Sequence, residues 1–217
     1  MPNWVSNQLN ITGPKEELDR FQALASKPHR TKKSVWNGTE YEWHWEDVED
    51  QEELSFWNFI SPDESIMDEY FGPQPNTTLE QALRHESNHW YDWNVRNWGV
   101  KWDAGYVSVD RDSDTKLVYA FETPWSCIEP LFAEMVRSFP ALSFEYRFVE
   151  EQGWGGEFHA LNGLYWIVDQ WDIPETHENR VDKIGYCHCA EVGTREEDIE
   201  YLYDDCPPKM ALMAGKK

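Results

Sequence analysis

The residues best suited to chemistry are two histidines with a glutamate between them. His85, Glu86 and His89 form the string H-E-S-N-H, which fits the H-E-x-x-H pattern of zinc proteases. On a helix this spacing places both imidazoles on one face, where they can bind one zinc ion while the glutamate acts as a base. The following sequence contains no evident third ligand, and tryptophans crowd the same segment. A metal-dependent hydrolase is therefore an alternative function and not the leading one.

A second candidate metal site is the stretch Cys187-His188-Cys189, with His177 and Cys206 nearby in the sequence. Zinc sites usually place two to four residues between paired cysteines, because both thiolates must face one ion. On a strand, the two cysteines would share a face and the histidine would point the other way. Since a single intervening residue is a poor spacing, the sequence predicts that no metal and no other cofactor is bound. The weak alternative ligands are His85, His89, Cys187 and Cys189.

Four tryptophans lie between residues 88 and 105, and two of them are the first and last residues of the string W-G-V-K-W. One interpretation is a small-ligand or peptide cleft lined by tryptophan, with Trp98 and Lys101 as binding residues. The other is a corner where a helix ends at Gly99 and the indole rings pack beneath a sheet. We favour the second, because signatures of this kind in small layered domains usually specify packing. The sequence thus predicts that Trp102 is buried, with a possible site at the edge of the core.

The most polarised segment runs from residue 34 to residue 83 and contains 13 acidic residues without a lysine or arginine. An Asn-Gly pair within it separates two possible strands, which is a strong hairpin signal. Aromatic residues then alternate with acidic ones. Either the aromatic side packs on the fold, which we favour, or it forms an anchor surrounded by acid for a basic partner. The candidate binding residues here are Trp43, Glu40, Glu42 and Glu46.

The whole chain is acidic, with 41 Asp and Glu against 19 Lys and Arg and a net charge of -22. Such a surface repels nucleic acid and anionic membranes, so we expect neither as a direct partner. We expect instead a host protein with a basic surface. The sequence has no long apolar run and no evident secretory signal, which predicts the bacterial cytoplasm and reduced cysteines. Nothing in it indicates the oligomeric state.

Hydrophobic periodicity predicts the elements that must position these residues. Alternation indicates strands, and apolar residues three and four apart indicate helices. The predicted order is a strand over 3–13, a helix over 14–26, a strand over 54–62, a helix from about 78 to 99, a hairpin over 104–123, a helix over 124–140, a strand over 142–151 and a hairpin over 156–171.

Four short motifs in this order resemble one known family. They are MPNWVSNQLNITG, SFWNFISP, NWGVKWDA and FETPWS. Together they resemble the YubB-type ferredoxin-like family of phage and plasmid proteins, over roughly residues 1–165. The resemblance implies an α+β fold, a ferredoxin-like βαββαβ sandwich, and it brings no catalytic residues with it.

The sequence therefore predicts a ferredoxin-like domain over residues 1–171 with an acidic, aromatic insertion at about 27–53. Residues 172–217 are expected to form a C-terminal extension that packs on this domain or is partly disordered. The leading function is a non-enzymatic phage or mobile-element accessory protein that acts by binding another protein. The alternatives are an acidic nucleic-acid mimic that inhibits a host DNA- or RNA-handling enzyme, and the metal-dependent hydrolase.

Overall fold

The computed structural model describes residues 2–39, 41–47, 53–72, 88–190, 199 and 202–215. The strands are β1 (Trp4–Thr12), β2 (Arg30–Trp36), β3 (Tyr41–Asp47), β4 (Gly105–Ser113), β5 (Lys116–Pro124), β6 (Ser143–Glu150), β7 (Gly155–Leu161) and β8 (Leu164–Trp171). The helices are α1 (Lys15–Ala25), α2 (Met67–Phe71), α3 (Trp90–Trp98), α4 (Glu129–Ser138), α5 (His177–Ile184) and α6 (Pro207–Gly215).

One antiparallel sheet contains six strands in the order β4-β5-β1-β6-β7-β8, and β2 pairs with β3 in a separate hairpin. The order βαββαβ is formed by β1, α1, β4, β5, α4 and β6, with β2, β3, α2 and α3 inserted between α1 and β4. The spatial order of those four strands, β4-β5-β1-β6, is that of a ferredoxin-like sandwich. The hairpin of β7 and β8 then extends the sheet beyond β6.

The core lies between the sheet and the two helices of this repeat. Leu9 of β1 is fully buried and stands opposite Tyr119 of β5 and Tyr146 of β6. Phe21 of α1 lies with its ring 5.9 Å from that of Tyr119, and Phe132 of α4 lies 5.2 Å from Tyr146. The alternation predicted for β1 therefore marks the face that α1 and α4 cover.

Both predicted Asn-Gly hairpins are present. Asn162 and Gly163 connect β7 to β8 with φ angles of +55° and +78°. Positive φ at both positions is what a tight two-residue hairpin turn requires, and Asn-Gly provides it at little cost. Asn37 and Gly38 likewise lie between β2 and β3. No helix within the described ranges has the length and apolar character needed to cross a bilayer.

The prediction of a strand over residues 54–62 is wrong, because this segment forms a 3-10 helix at Phe56–Asn58. Side-chain hydrogen bonds explain the difference. The carboxylate of Asp103 accepts bonds from the Ser55 hydroxyl and the Phe56 N–H. The Asn58 amide donates to the carbonyl oxygens of Ala25 and Lys27, so the segment is tied to the end of α1.

The four clustered tryptophans only partly form a core. Trp93 and Trp98 of α3 are buried, and the helix ends at Gly99 with φ of +87°, as predicted. The prediction that Trp102 is buried is wrong, since 42% of it is exposed. The left-handed turn at Gly99 directs Val100 into the core instead, and Val100 is 1% exposed. The predicted start of this helix, near residue 78, lies outside the described residues.

Candidate functional site

Four aromatic side chains come together where β1 begins and β5 ends. Trp4 stands opposite Pro124 of β5, and Trp125 follows directly after that strand. The ring of Trp4 has its centroid 6.4 Å from that of Trp102 and 6.1 Å from that of Tyr106. The rings of Trp102 and Trp125 are 6.5 Å apart, with 30° between their planes. We call Trp4, Trp102, Tyr106 and Trp125 the aromatic platform.

Much of the platform is open to solvent. Tyr106 is 81% exposed, Trp125 is 47% exposed and Trp102 is 42% exposed. Contiguous apolar surface that remains exposed in a folded chain commonly marks a place where another molecule binds. Tryptophan and tyrosine are also among the residues that most often dominate the binding energy of an interface.

Two platform residues have a backbone conformation that aromatic residues rarely adopt. Tyr106 has a φ angle of +51° and Trp125 has one of +63°. Tyr106 lies in an irregularity of the β4–β5 pairing between Gly105 and Ser108, and the Trp125 N–H donates to the carbonyl oxygen of Asn3 at 2.9 Å. Each such conformation costs about 1–3 kcal/mol and persists only where the surrounding structure enforces it. The fold thus holds two exposed aromatic side chains in place against local strain.

Lys101 places a positive charge between two platform rings. Its Nζ lies 3.6 Å from the ring centroid of Trp102 and 3.7 Å from that of Trp125. A cation over the face of an indole is attracted to the ring by about 0.5–1 kcal/mol at exposed sites. The Trp102–Trp125 pair is therefore arranged to accept a cation, and in the free chain Lys101 fills that place.

A cleft of about 290 Å³ adjoins the platform. Its lining is mainly aromatic and includes Trp57, Trp90, Trp98, Trp102, Lys101 and Asp103. Pockets for drug-sized ligands generally run from about 300 to 1,000 Å³, so this one suits a small group such as a single side chain. The shared residues Lys101 and Trp102 make the cleft and the platform one continuous surface.

Asp103 fixes one wall of the cleft. Its Oδ1 accepts the N–H of Phe56 at 2.6 Å and that of Ala104 at 2.8 Å, and its Oδ2 accepts the Ser55 hydroxyl at 2.7 Å. Burial raises the pKa of this carboxyl group above its ordinary value, although the hydrogen bonds act in the opposite direction. Because both oxygens are engaged, Asp103 holds the segment at Ser55 and Phe56 in place rather than acting as a free base.

Trp98 and Lys101, both predicted as binding residues, line the cleft together. Trp98 also belongs to the core, since it is 3% exposed and its Nε1–H donates to the carbonyl oxygen of Ile60 at 2.9 Å. Lys101 is the more accessible of the two. The structure thus places one packing residue and one surface residue side by side in the same wall.

Two of the acidic candidates lie on β3, away from the main sheet. Glu42 and Glu46 are both exposed. The Asn37 amide donates to Oε1 of Glu42 at 2.6 Å, across the hairpin turn. Arg30 of β2 forms an ion pair with Asp47 of β3 at 3.0 Å, so the basic strand partly balances its acidic neighbour.

Other candidate residues fall outside the part of the chain that the structure describes. They are Glu40 and the side chain of Trp43 in the hairpin, and His85 and Glu86 of the H-E-S-N-H string. His89 is described, and it immediately precedes α3 at the N-cap position. The hydrolase hypothesis therefore stays a prediction.

The structure brings the potential metal ligands of the C-terminal part together. The sulfur atoms of Cys187, Cys189 and Cys206 and a ring nitrogen of His177 all lie within 4.8 Å of one another. The sequence argues against a metal here because a single residue separates Cys187 from Cys189, and the structure forms a 3-10 helix over His188–Ala190. This turn lets both sulfur atoms reach one point although a single residue separates the two cysteines.

Sequence reasoning missed Trp4, Tyr106 and Trp125 as site residues. The sequence predicts that Trp125, in the T-P-W-S string, lies at the start of a helix. Alternation predicts that Trp4 and Tyr106 lie in strands. Their exposure depends on a strand irregularity and on left-handed backbone angles, and no local sequence pattern predicts either feature. The available signal was the number of tryptophans and tyrosines near the strand ends.

A second exposed apolar surface lies on β8, an edge strand of the sheet. Leu164 is 74% exposed, and Trp166, Ile167 and Val168 are each about half exposed. An exposed edge strand can pair with another chain. This surface is separated from the platform by several strands, because the order β4-β5-β1-β6-β7-β8 places β8 at the far edge.

Comparison with known proteins bears on the fold. Residues 98–186 match a family model described as "Ferredoxin-like domain in Api92-like protein". The crystal structure of the protein Api92 from Yersinia pseudotuberculosis aligns with a TM-score of 0.48 and 12% sequence identity, over 80% of this chain and 99% of that chain. No curated protein matches the chain.

The family match confirms the predicted fold class, which is α+β and ferredoxin-like. It also overturns the predicted resemblance. The resemblance to the YubB-type family of phage and plasmid proteins is wrong, because the model that matches residues 98–186 is that of the Api92-like domain. The phage or mobile-element role came from that resemblance, and no comparison supports it. The proposed domain limits at residues 27–53 and 171 stay predictions.

Proposed function

We propose that the chain is a non-enzymatic binding protein and that the aromatic platform, with its adjoining cleft, is the surface that binds a partner protein. The observation that carries this proposal is the pair of strained, exposed aromatic residues, Tyr106 and Trp125. Strain of this kind tends to be retained at sites that hold a ligand, since a passive surface gains nothing from it. The platform supplies a contact area rich in hot-spot residues, and the cleft can take one side chain of the partner.

The charge of the platform's surroundings favours a basic partner. Two acidic residues adjoin the platform through the backbone: Glu122 pairs with Gly105 beside Tyr106, and the N–H of the exposed Glu151 donates to the carbonyl oxygen of Trp4. The whole chain carries a net charge of -22. A lysine or arginine of the partner would gain both from these carboxylates and from stacking on an indole, as Lys101 does.

These features favour protein binding over the alternatives. A nucleic-acid mimic requires an ordered array of carboxylates, whereas exposed aromatic rings dominate the platform. The one carboxylate among the described residues that line the cleft, that of Asp103, is engaged in hydrogen bonds and is not free to act as an acid or base. None of the four cysteines forms a disulfide, which supports a location in the bacterial cytoplasm.

Selection from a random peptide library on the immobilised chain tests the proposal. We expect the selected peptides to be rich in lysine and arginine and to bind with an affinity that falls as salt rises. Trp102→Ala should weaken their binding at least about 30-fold, the effect of losing about 2 kcal/mol at a hot spot.

The matched control is Trp166→Ala on β8, because Trp166 is exposed to a similar degree, 48%. This variant should bind the selected peptides as the parent does. Equal losses in the two variants, or a loss in the control alone, would contradict the placement of the site. Selection of acidic peptides would contradict the proposed partner chemistry.

A further inference from the structure

Four side chains with metal-binding atoms converge from three segments of the C-terminal part. His177 is the first residue of α5. Cys187 and Cys189 lie on either side of His188, where the chain enters a 3-10 helix. Cys206 directly precedes α6. Three segments that are separate in the sequence thus meet at one point.

Three distances within this cluster lie close to those of a tetrahedral zinc site. The sulfur atoms of Cys187 and Cys206 are 3.8 Å apart. Nδ1 of His177 lies 3.3 Å from the sulfur of Cys189 and 3.6 Å from that of Cys206. Zinc bonds of about 2.3 Å to sulfur and about 2.0–2.1 Å to nitrogen place tetrahedral ligands about 3.5–3.8 Å apart. A disulfide would instead require about 2.0 Å between sulfur atoms.

Neighbouring hydrogen bonds fix the positions of the proposed ligands. The carboxylate of Asp205 accepts the backbone N–H of His177 at 2.8 Å and that of Glu178 at 3.3 Å. These bonds lower the pKa of Asp205 and fix Cys206, the next residue, beside the start of α5. His188 is turned toward Arg180, with 3.0 Å between Nε2 and Nη2. It is therefore the histidine at position 177, and not the one between the cysteines, that faces the sulfur atoms.

Among its described residues, the C-terminal part has little apolar core of its own. The buried residues of the main hydrophobic cluster end at Ala160, and beyond it the buried apolar residues of the described chain are Pro174, Cys187, Ile199 and Cys206. Polar contacts join α5 to the sheet, among them the Lys183–Asp169 ion pair at 2.9 Å. Short segments without a sufficient core commonly rely on a disulfide or a structural metal.

We propose that His177, Cys187, Cys189 and Cys206 bind one structural zinc ion that joins α5, the 3-10 helix and α6. A Cys₃His set is typical of structural zinc, and thiolate ligands select against magnesium and calcium. Four protein ligands leave no open position, so the ion stabilises this part of the fold and does not take part in hydrolysis. The proposal does not depend on the function of the aromatic platform.

Metal analysis of the full chain, purified under reducing conditions without chelator, tests this proposal. We expect about one zinc per chain in the parent and a loss of most of it in Cys206→Ser and His177→Ala. The matched controls are Cys127→Ser and His188→Gln, which should keep the zinc. Cys127 is the one cysteine outside the cluster, and His188 lies between two proposed ligands without facing them.

A second measurement covers the case in which a ligand variant does not fold. After exchange of the parent chain with Co²⁺, we expect the absorption bands of tetrahedral thiolate coordination and a thermal midpoint that a chelator lowers. A parent chain without metal, a Cys187–Cys206 disulfide in its place, or iron or copper at these residues would overturn the proposal. Equal loss of zinc in the His188→Gln control would overturn the choice of ligands.

Discussion

Alanine substitutions at Trp98 and at Trp102 distinguish a tryptophan of the core from a tryptophan of the aromatic platform. Trp98 is 3% exposed, and its ring lies 5.9 Å from those of Phe56 and Trp93. Removing a buried tryptophan costs about 3–5 kcal/mol, and the carbonyl of Ile60 also loses its indole donor at a cost of about 1 kcal/mol. Since these terms overlap, we expect the free energy of unfolding to fall by about 4–5 kcal/mol for Trp98→Ala.

For Trp102→Ala we expect a much smaller loss of stability. The residue is 42% exposed, so water can occupy the space that its ring leaves. The loss of partial burial and of the contact with Lys101 amounts to about 1–1.5 kcal/mol. With a urea m-value of about 2.5 kcal/mol/M, the midpoint should fall by about 1.8 M for Trp98→Ala and by about 0.5 M for Trp102→Ala.

Urea unfolding followed by circular dichroism measures both changes under the same conditions. The m-value should remain unchanged in both variants, which would show that the unfolded reference state is the same. If Trp102→Ala were as destabilising as Trp98→Ala, then Trp102 would be a core residue and the platform would not be a free surface. If Trp98→Ala cost less than about 2 kcal/mol, the packing assigned to α3 would be wrong.

Further outcomes follow from the same contacts. Asp103→Ala should lower the free energy of unfolding by about 3–5 kcal/mol, measured in urea, because two N–H groups and one hydroxyl lose their acceptor; Asp103→Asn, which keeps one acceptor, should cost less. Gly99→Ala should cost about 2–4 kcal/mol in the same assay, because a Cβ there would lie 2.6 Å from the carbonyl oxygen of Cys127 in a left-handed turn. Reversing the exposed Glu42 and Glu46 to lysine should slow association with a basic partner at low salt, measured by surface plasmon resonance, and leave the urea midpoint unchanged.

The sheet could be predicted from the sequence because its strands alternate clearly. Leu9 and its neighbours in β1 show a period of two, and Phe132 belongs to an apolar stripe on α4. These local patterns agree with the packing of the βαββαβ fold. The segment at Phe56 could not be predicted in this way, because its aromatic residues resemble a strand while the deciding hydrogen bonds come from the distant Asp103.

The candidate sites depend even more on long-range structure. Trp102 and Trp125 are 23 positions apart in the sequence, and the antiparallel pairing of β4 with β5, which sets Gly105 opposite Glu122, makes them neighbours. The spacing of Cys187 and Cys189 argues against zinc, because zinc sites usually have two to four residues between paired cysteines. The approach of His177 and Cys206 depends on the capping of α5 by Asp205, which is a tertiary contact.

Photo-crosslinking at position 106 tests the proposed binding surface most directly. A benzophenone amino acid replaces Tyr106, which is 81% exposed, and in a second chain it replaces Leu164, which is 74% exposed at the far edge of the sheet. After irradiation in the presence of a basic peptide selected on the parent chain, we expect the variant at 106 to form a covalent adduct with that peptide. Addition of Trp102→Ala should abolish the adduct, and the variant at 164 should not form it. Formation of the same adduct from position 164 alone, or an adduct at 106 that Trp102→Ala leaves unchanged, would contradict binding at the aromatic platform.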